Sequence, residues 1–205
     1  MTGVQTCALP ISLDCVEAEL VHVTSKHAKR VAYMSVCMAQ TMEIQDKSLQ
    51  DLAICALLHD NALTQYIQEE LQQGVKLLEG RAENIQVGIH CSMGEANIRE
   101  LPFHGDVENV ILYHHENADG SGPFKKTWQE IPRFARIIHL CDILDGFCRV
   151  ENFTTDTWER AKSFLARAKG TIVDEACVDA FLTAFPEEHF LTLGEADLEI
   201  GRAHV

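Results

Sequence analysis

The chain has 205 residues, 46% of them hydrophobic and 23% charged, a size and balance that suit one globular domain with a proper core. Its 31 acidic against 17 basic residues give a net charge of −14, which excludes non-specific attraction to a nucleic-acid polymer, because the average surface repels phosphate. An anionic substrate therefore needs a local positive centre such as a metal. No stretch approaches the roughly 18 apolar residues of a membrane span, so no membrane segment is expected in this chain.

In chain order, the first feature is the N-terminal "TGVQTCALPI". It can be written in codons whose reverse complement encodes the C-terminal "IGRAHV", as one sequencing-library adapter read from both strands would be. Residues 1–11 and 200–205 are accordingly expected to be artefactual tails, Cys7 and His204 to carry no meaning, and the chain to be a fragment of a longer protein. The remaining cysteines, Cys15, Cys37, Cys55, Cys91, Cys141, Cys148 and Cys177, form no CxxC pair and mostly sit in apolar runs. They read as small core residues of a reduced protein, for which a cytoplasmic location is expected.

The pattern is helical nearly throughout, and no alternating strand pattern of useful length occurs, so the fold is expected to be all-α. "TSKHAKRVAYMSVCMAQTM" places Val31, Met34, Met38 and Met42 at spacings of three and four behind a Thr24 or Ser25 cap. "DKSLQDLAICALLHD" repeats the arrangement, with Asp46 as the cap. Further helices are expected near 83–100, 105–117, 131–148, 156–169 and 174–184, punctuated by Gly74, Gly80, Pro102, Gly120, Gly122, Pro123 and Pro186. Residues 12–150 read as one metal-dependent domain, and 151–199 as a C-terminal helical extension of it.

The histidines keep ordered company. His27 lies early in the first long helix, His59 and Asp60 close the second, His90 falls inside the third, and His114 and His115 close the fourth. Asp142 sits in the apolar run "RIIHLCDILDGF", where a carboxylate without a partner is costly. Helices that each offer one or two ligands can surround a metal pair in a bundle core. Imidazoles and carboxylates without cysteine suit iron or manganese, or zinc, better than a thiolate-rich structural site does. A carboxylate such as Asp60 can bridge two ions, the arrangement used for in-line phosphoester hydrolysis. Asp145, one turn after Asp142, is either a supporting partner or a solvated residue, Glu116 is expected to cap or orient, and His22, His104, His139 and His189 are expected to be structural.

Taken in order, "HAKRVA" from His27, "LLHD" ending at Asp60, "HCSMGE" from His90, "HHE" from His114, "DGSG" and "ARIIHLCDILD" resemble the HD-GYP branch of the HD phosphohydrolase superfamily over residues 20 to 147. The resemblance implies a helical bundle whose two divalent ions, iron or manganese, hydrolyse cyclic di-GMP through metal-bound hydroxide. It also implies His27, His59, Asp60, His90, His114, His115 and Asp142 as ligands, with Asp60 and His59 at the catalytic centre. Val23 stands where members with a third metal carry a glutamate, which favours two ions. Asp119, Gly120, Gly122 and Arg149 are the expected substrate-binding positions. Three positions depart from the family pattern: Leu63 replaces a lysine, "GPF" at 122–124 replaces GYP, and Glu151 stands where an arginine is usual. Other readings of the same pattern are hydrolysis of a different nucleotide and a regulatory module that has lost turnover. A sensor or receiver domain outside the fragment and a homodimer complete the expected partners.

Overall fold

The computed structural model describes residues 26–72, 87–148 and 153–194. Among these residues the order is α1 His27–Thr41, α2 Asp46–Leu57, α3 Leu63–Gln72, α4 Val87–Ile98, α5 Arg133–Cys148, α6 Thr155–Ala168, α7 Glu175–Ala184 and α8 Glu187–Leu191, followed by a 3-10 turn Thr192–Gly194. The described residues contain no strand, only isolated bridges pairing Asp119 with Thr127 and Lys169 with Val173. The all-α expectation holds. Among the described residues no helix is long and apolar enough to cross a membrane.

Helix α1 is central, packing on α2, α5 and α7, and α5 in turn meets α2, α6 and α7. The methionine stripe explains the position of α1: Met34 and Met38 are fully buried with Val31 one turn before them, and Met42 packs against the core just past the helix end. Each such side chain contributes about 1.5–3 kcal/mol when removed from water. The same core takes Trp158, Leu165, Phe181, Phe185 and Phe190 from α6 to α8, so residues on both sides of position 150 share one interior. Cys37, Cys55, Cys91, Cys141 and Cys177 are buried and free.

The helix starts differ from the sequence reading. Lys26, with φ +70°, holds the N-cap position of α1 and makes no side-chain cap bond, and the expected caps Thr24 and Ser25 lie outside the described residues. Asp46 is the first residue of α2 rather than its cap, with φ +55°, and the cap position belongs to Gln45. By contrast α6 starts on a capping box, in which the Thr157 amide donates to Thr154 Oγ1 and the Thr154 amide donates to Thr157 Oγ1. α7 is capped by Asp174, whose Oδ1 accepts from the Cys177 amide.

Two larger differences shape the site. The second helix stops at Leu57, so His59 and Asp60 stand in a turn over 58–62 instead of on a helix. The helix expected at 105–117 is absent; the chain turns from 108 to 115. Buried carboxylates take the place of helical carbonyls there. Asp51 accepts the His104 and Gly105 amides, and Glu95 accepts those of Asn109, Ile111 and Leu112 while Asn109 adopts φ +63°. Helices α3 and α8 were not expected. Leu63, Tyr66 and Ile67 of α3 form a small second cluster, with Met93 of α4 against it. The expected tails at 1–11 and 200–205, together with Cys15, His22, Val23, Arg149 and Glu151, lie outside the described residues.

Candidate metal centre

Seven predicted residues converge on one buried point, approached from α1, the 58–62 turn, α4, the 108–115 turns and α5. His27 Nε2 stands 3.2 Å from His59 Nε2 and 3.3 Å from Asp142 Oδ1. On the other side, His90 Nε2 and His114 Nε2 lie 3.3 and 3.5 Å from Asp60 Oδ1. The two carboxylates face both groups. Asp60 turns Oδ2 to His59 at 3.4 Å and Oδ1 to His90 and His114, whereas Asp142 turns Oδ1 to His27 and Oδ2 to His115 Nδ1 at 3.5 Å.

The outer nitrogen of several rings is already engaged, which fixes the inner one. His59 Nδ1 donates to the Ala56 carbonyl at 2.8 Å and His114 Nδ1 to the Ile111 carbonyl at 2.6 Å, leaving each Nε2 as a lone pair directed inward. His27 Nδ1 is held by Asp145 Oδ2 at 2.7 Å, and Asp145 is gripped by Arg30 through Nε at 2.6 Å. His139 Nδ1 donates to the His114 carbonyl, steadying the turn that carries two of the imidazoles.

The electrostatics favour cations. Burial alone would raise the Asp60 carboxyl, but His59, His114 and His90 outweigh it and hold the group well below the usual carboxylate range. Asp142 is likewise held down against its burial, by the His27 hydrogen bond and by His115 and His59. Burial and the neighbouring His114 push His115 well below its ordinary value, so it stays neutral. For His27 burial pulls downward, and the Asp142 and Asp145 carboxylates more than reverse it. Asp60 Oδ1 and His114 Nε2 are buried with no hydrogen-bond partner, a costly state for polar atoms unless something else occupies the space between them. Imidazole lone pairs and anionic oxygens around orphaned atoms are what a divalent metal requires, so the residues fit such an ion.

The HD domain family model matches residues 13–175, well over half of the sequence. The chain belongs to the HD domain family. It is 26% identical over 165 residues to the cyclic di-GMP phosphodiesterase response regulator RpfG of Xanthomonas campestris, covering 78% of this chain and 43% of that protein. It is also 26% identical over 128 residues to a cyclic di-GMP phosphodiesterase of Pseudomonas aeruginosa, covering 60% of this chain and 30% of the relative. The HD-domain chain thus spans less than half the length of these relatives. The crystal structure of a cyclic GMP-AMP-specific phosphodiesterase of Vibrio cholerae shares the fold, with a TM-score of 0.69 at 23% identity over 95% of this chain and 52% of that one. The HD-GYP resemblance drawn from the motifs agrees with the names of these relatives.

The substrate-side expectations of this HD domain fare differently. Asp119 is exposed, and its carboxylate accepts the Ser121 amide, so it shapes the loop. Gly120 takes φ +81°, and Gly122 lies so close to Glu116 that an added Cβ would stand 2.7 Å from Oε1. Glu116 clamps the loop by accepting the Phe124 and Lys126 amides, which bears out its orienting role. Phe124 rests against Tyr113 and beside Gly88 of α4. Leu63, at the lysine position, is buried in the α3 cluster and brings no charge.

Some contributors were not singled out from sequence. Arg30 and Glu95 are charged residues inside amphipathic runs, where periodicity alone reads them as solvated; both are buried. Asn61 bonds through Nδ2 to the carbonyls of Leu58 and Gly94, tying the turn that carries Asp60 to α4. The expected cysteine-free surroundings also need correction, because Cys91 Sγ lies 3.7 Å from His90 Nε2. A cysteine next to a ligand in sequence gave no sign of this, since neighbours on a helix usually point apart.

Proposed function

We propose that this HD domain is a binuclear metal-dependent phosphodiesterase that opens a cyclic dinucleotide, with cyclic di-GMP as the first substrate to test. The observation that carries the reading is Asp60, whose two oxygens face two separate histidine groups, so that the carboxylate would be shared by an ion in each. His27, His59 and Asp142 would hold one iron or manganese, and His90, His114 and His115 the other. Bound ions supply Lewis acidity to the phosphoryl oxygens and ionise water near neutral pH, which provides a nucleophile without any side chain serving as one.

The protein's own part is orientation. Ala56 and Ile111 carbonyls keep His59 and His114 in the tautomer whose Nε2 faces inward, and the Arg30–Asp145 pair does the same for His27. Fixing these rings before substrate arrives avoids reorganisation during the reaction. The relatives named as cyclic di-GMP phosphodiesterases support this substrate class. The buried Leu63 favours a second reading, in which the metal centre accepts a different nucleotide, because the phosphate loses a lysine partner.

The domain is purified anaerobically, its iron and manganese are measured, and breakdown of cyclic di-GMP and cyclic GMP-AMP is followed beside Asp60→Ala. About two ions per chain and cyclic di-GMP turnover that disappears in Asp60→Ala are expected, since this carboxylate would be shared by both ions. Metal with turnover of cyclic GMP-AMP alone moves the substrate to the second reading. A chain without metal rejects both.

A further inference from the structure

The two halves of the centre differ in one donor. Around His27 and His59 every nearby ligand atom is nitrogen or oxygen, whereas around His90, His114 and His115 a sulfur is present. Cys91 is fully buried, and its Sγ lies 3.7 Å from His90 Nε2, the nitrogen that faces Asp60, while its 3.8 Å approach to His114 is to Nδ1, the nitrogen bonded to the Ile111 carbonyl. The tip of an imidazole is remote from its own backbone, so a neighbouring side chain that reaches it points into the same space. Neighbouring ligands of one ion, each about 2.1–2.3 Å from it, stand roughly 3.1–3.6 Å apart for angles between about 90° and 110°, and the His90 Nε2–Cys91 Sγ separation lies just above that range. A second and independent sign of a ligand is that Asp60 Oδ1 and His114 Nε2, both buried, point into this half and bond to nothing.

Resting on the binuclear reading above, we propose that Cys91 is a thiolate ligand of the ion held by His90, His114 and His115, making the centre asymmetric. On binding, the S–H proton passes to solvent and the sulfur lone pair forms the bond to the ion. A thiolate makes that half softer than its partner and shifts its preference toward zinc or ferrous iron over manganese, which the all-nitrogen-and-oxygen half still accepts. It also gives that half a group which peroxide can oxidise.

Cobalt(II) serves as the probe, because a thiolate ligand gives it an intense near-ultraviolet sulfur-to-metal charge-transfer band that nitrogen and oxygen donors lack. The metal-free domain is loaded with cobalt, and bound cobalt and absorption are measured for the native chain, Cys91→Ser, Cys91→Ala and Cys55→Ala. Cys55 is a buried core thiol outside the site and controls for sulfur elsewhere. The expected result is a band in the native chain and in Cys55→Ala that is lost in both Cys91 variants. Cobalt bound by the native chain without that band, or a band that survives both Cys91 substitutions, overturns the assignment and leaves the binuclear reading standing. No bound cobalt in the native chain overturns both.

Discussion

Glu95 shows how one side chain decides local structure. Its carboxylate accepts three backbone amides, from Asn109, Ile111 and Leu112, and so holds the turns leading to His114 and His115. In Glu95→Ala those amides lose their acceptor; the buried Ile111 donor left unpaired costs about 1–3 kcal/mol, and the half-buried Asn109 and Leu112 amides cost less because water reaches them. The variant is expected to lose stability in denaturant melts and to bind less metal than the native chain, whereas Glu95→Gln, which keeps one acceptor oxygen, is expected to lose less of both. Gly122 is a second such point. In Gly122→Ala the new Cβ meets Glu116 Oε1 at 2.7 Å and the Asn117 amide at 2.8 Å, so the loop must shift, at a cost of about 1–3 kcal/mol. Because the loop carries none of the seven proposed ligand residues, metal content is expected to be retained while KM rises. At this scale the imidazoles and carboxylates were legible because their order and spacing form a recognisable series. Arg30, Glu95 and Cys91 were not, since a charge or a thiol in an amphipathic run reads as solvated or as filler until its neighbours in space are known.

Between elements, the strongest electrostatic link runs from α1 to α5, where Arg30 donates to Asp145 through Nε at 2.6 Å and a second nitrogen at 3.1 Å. Both side chains are withdrawn from water, so removing one leaves a buried charge alone, a loss of about 3–5 kcal/mol. Asp145→Ala is therefore expected to melt at clearly lower denaturant and, with His27 released, to hold its metal less tightly; equilibrium unfolding and metal titration measure the two effects. The helices themselves were largely legible. The 3.6-residue period marked α1, α2, α5, α6 and α7 to within a few residues. The period also runs through 105–117, yet no helix forms there, because Asp51 and Glu95 offer the backbone a competing set of acceptors that local sequence does not reveal. Helix α3 was not legible although Leu63, Tyr66 and Ile67 have helical spacing, because so short and largely polar a helix carries too few apolar residues to set a period.

For the molecule as a whole, the buried thiols connect the core to pH. Burial pushes Cys37 up to about 11, despite a hydrogen bond with Tyr33 that lowers it, and burial with the nearby Asp51 and Glu95 charges pushes Cys55 up to about 12, against an ordinary 9.0. A group raised on folding contributes stability that is complete below the unfolded value and is lost as pH climbs toward the folded one. Stability is therefore expected to fall between pH 9 and 11 by about 1.4 kcal/mol per thiol per pH unit. Denaturant midpoints at pH 8 and pH 10 measure the decline, and it should shrink in Cys55→Ala.

The Arg30–Asp145 bond has a consequence during synthesis. Its partners are 115 positions apart in sequence. A ribosome adding about 5–20 residues per second leaves α1 exposed for roughly 6–23 s before Asp145 has been made. Throughout that interval the methionine face of α1 has no α5 to cover it, and the arginine on the same helix keeps the nascent segment hydrated. The pair that neutralises Arg30 in the finished core can therefore form only after α5 has been synthesised.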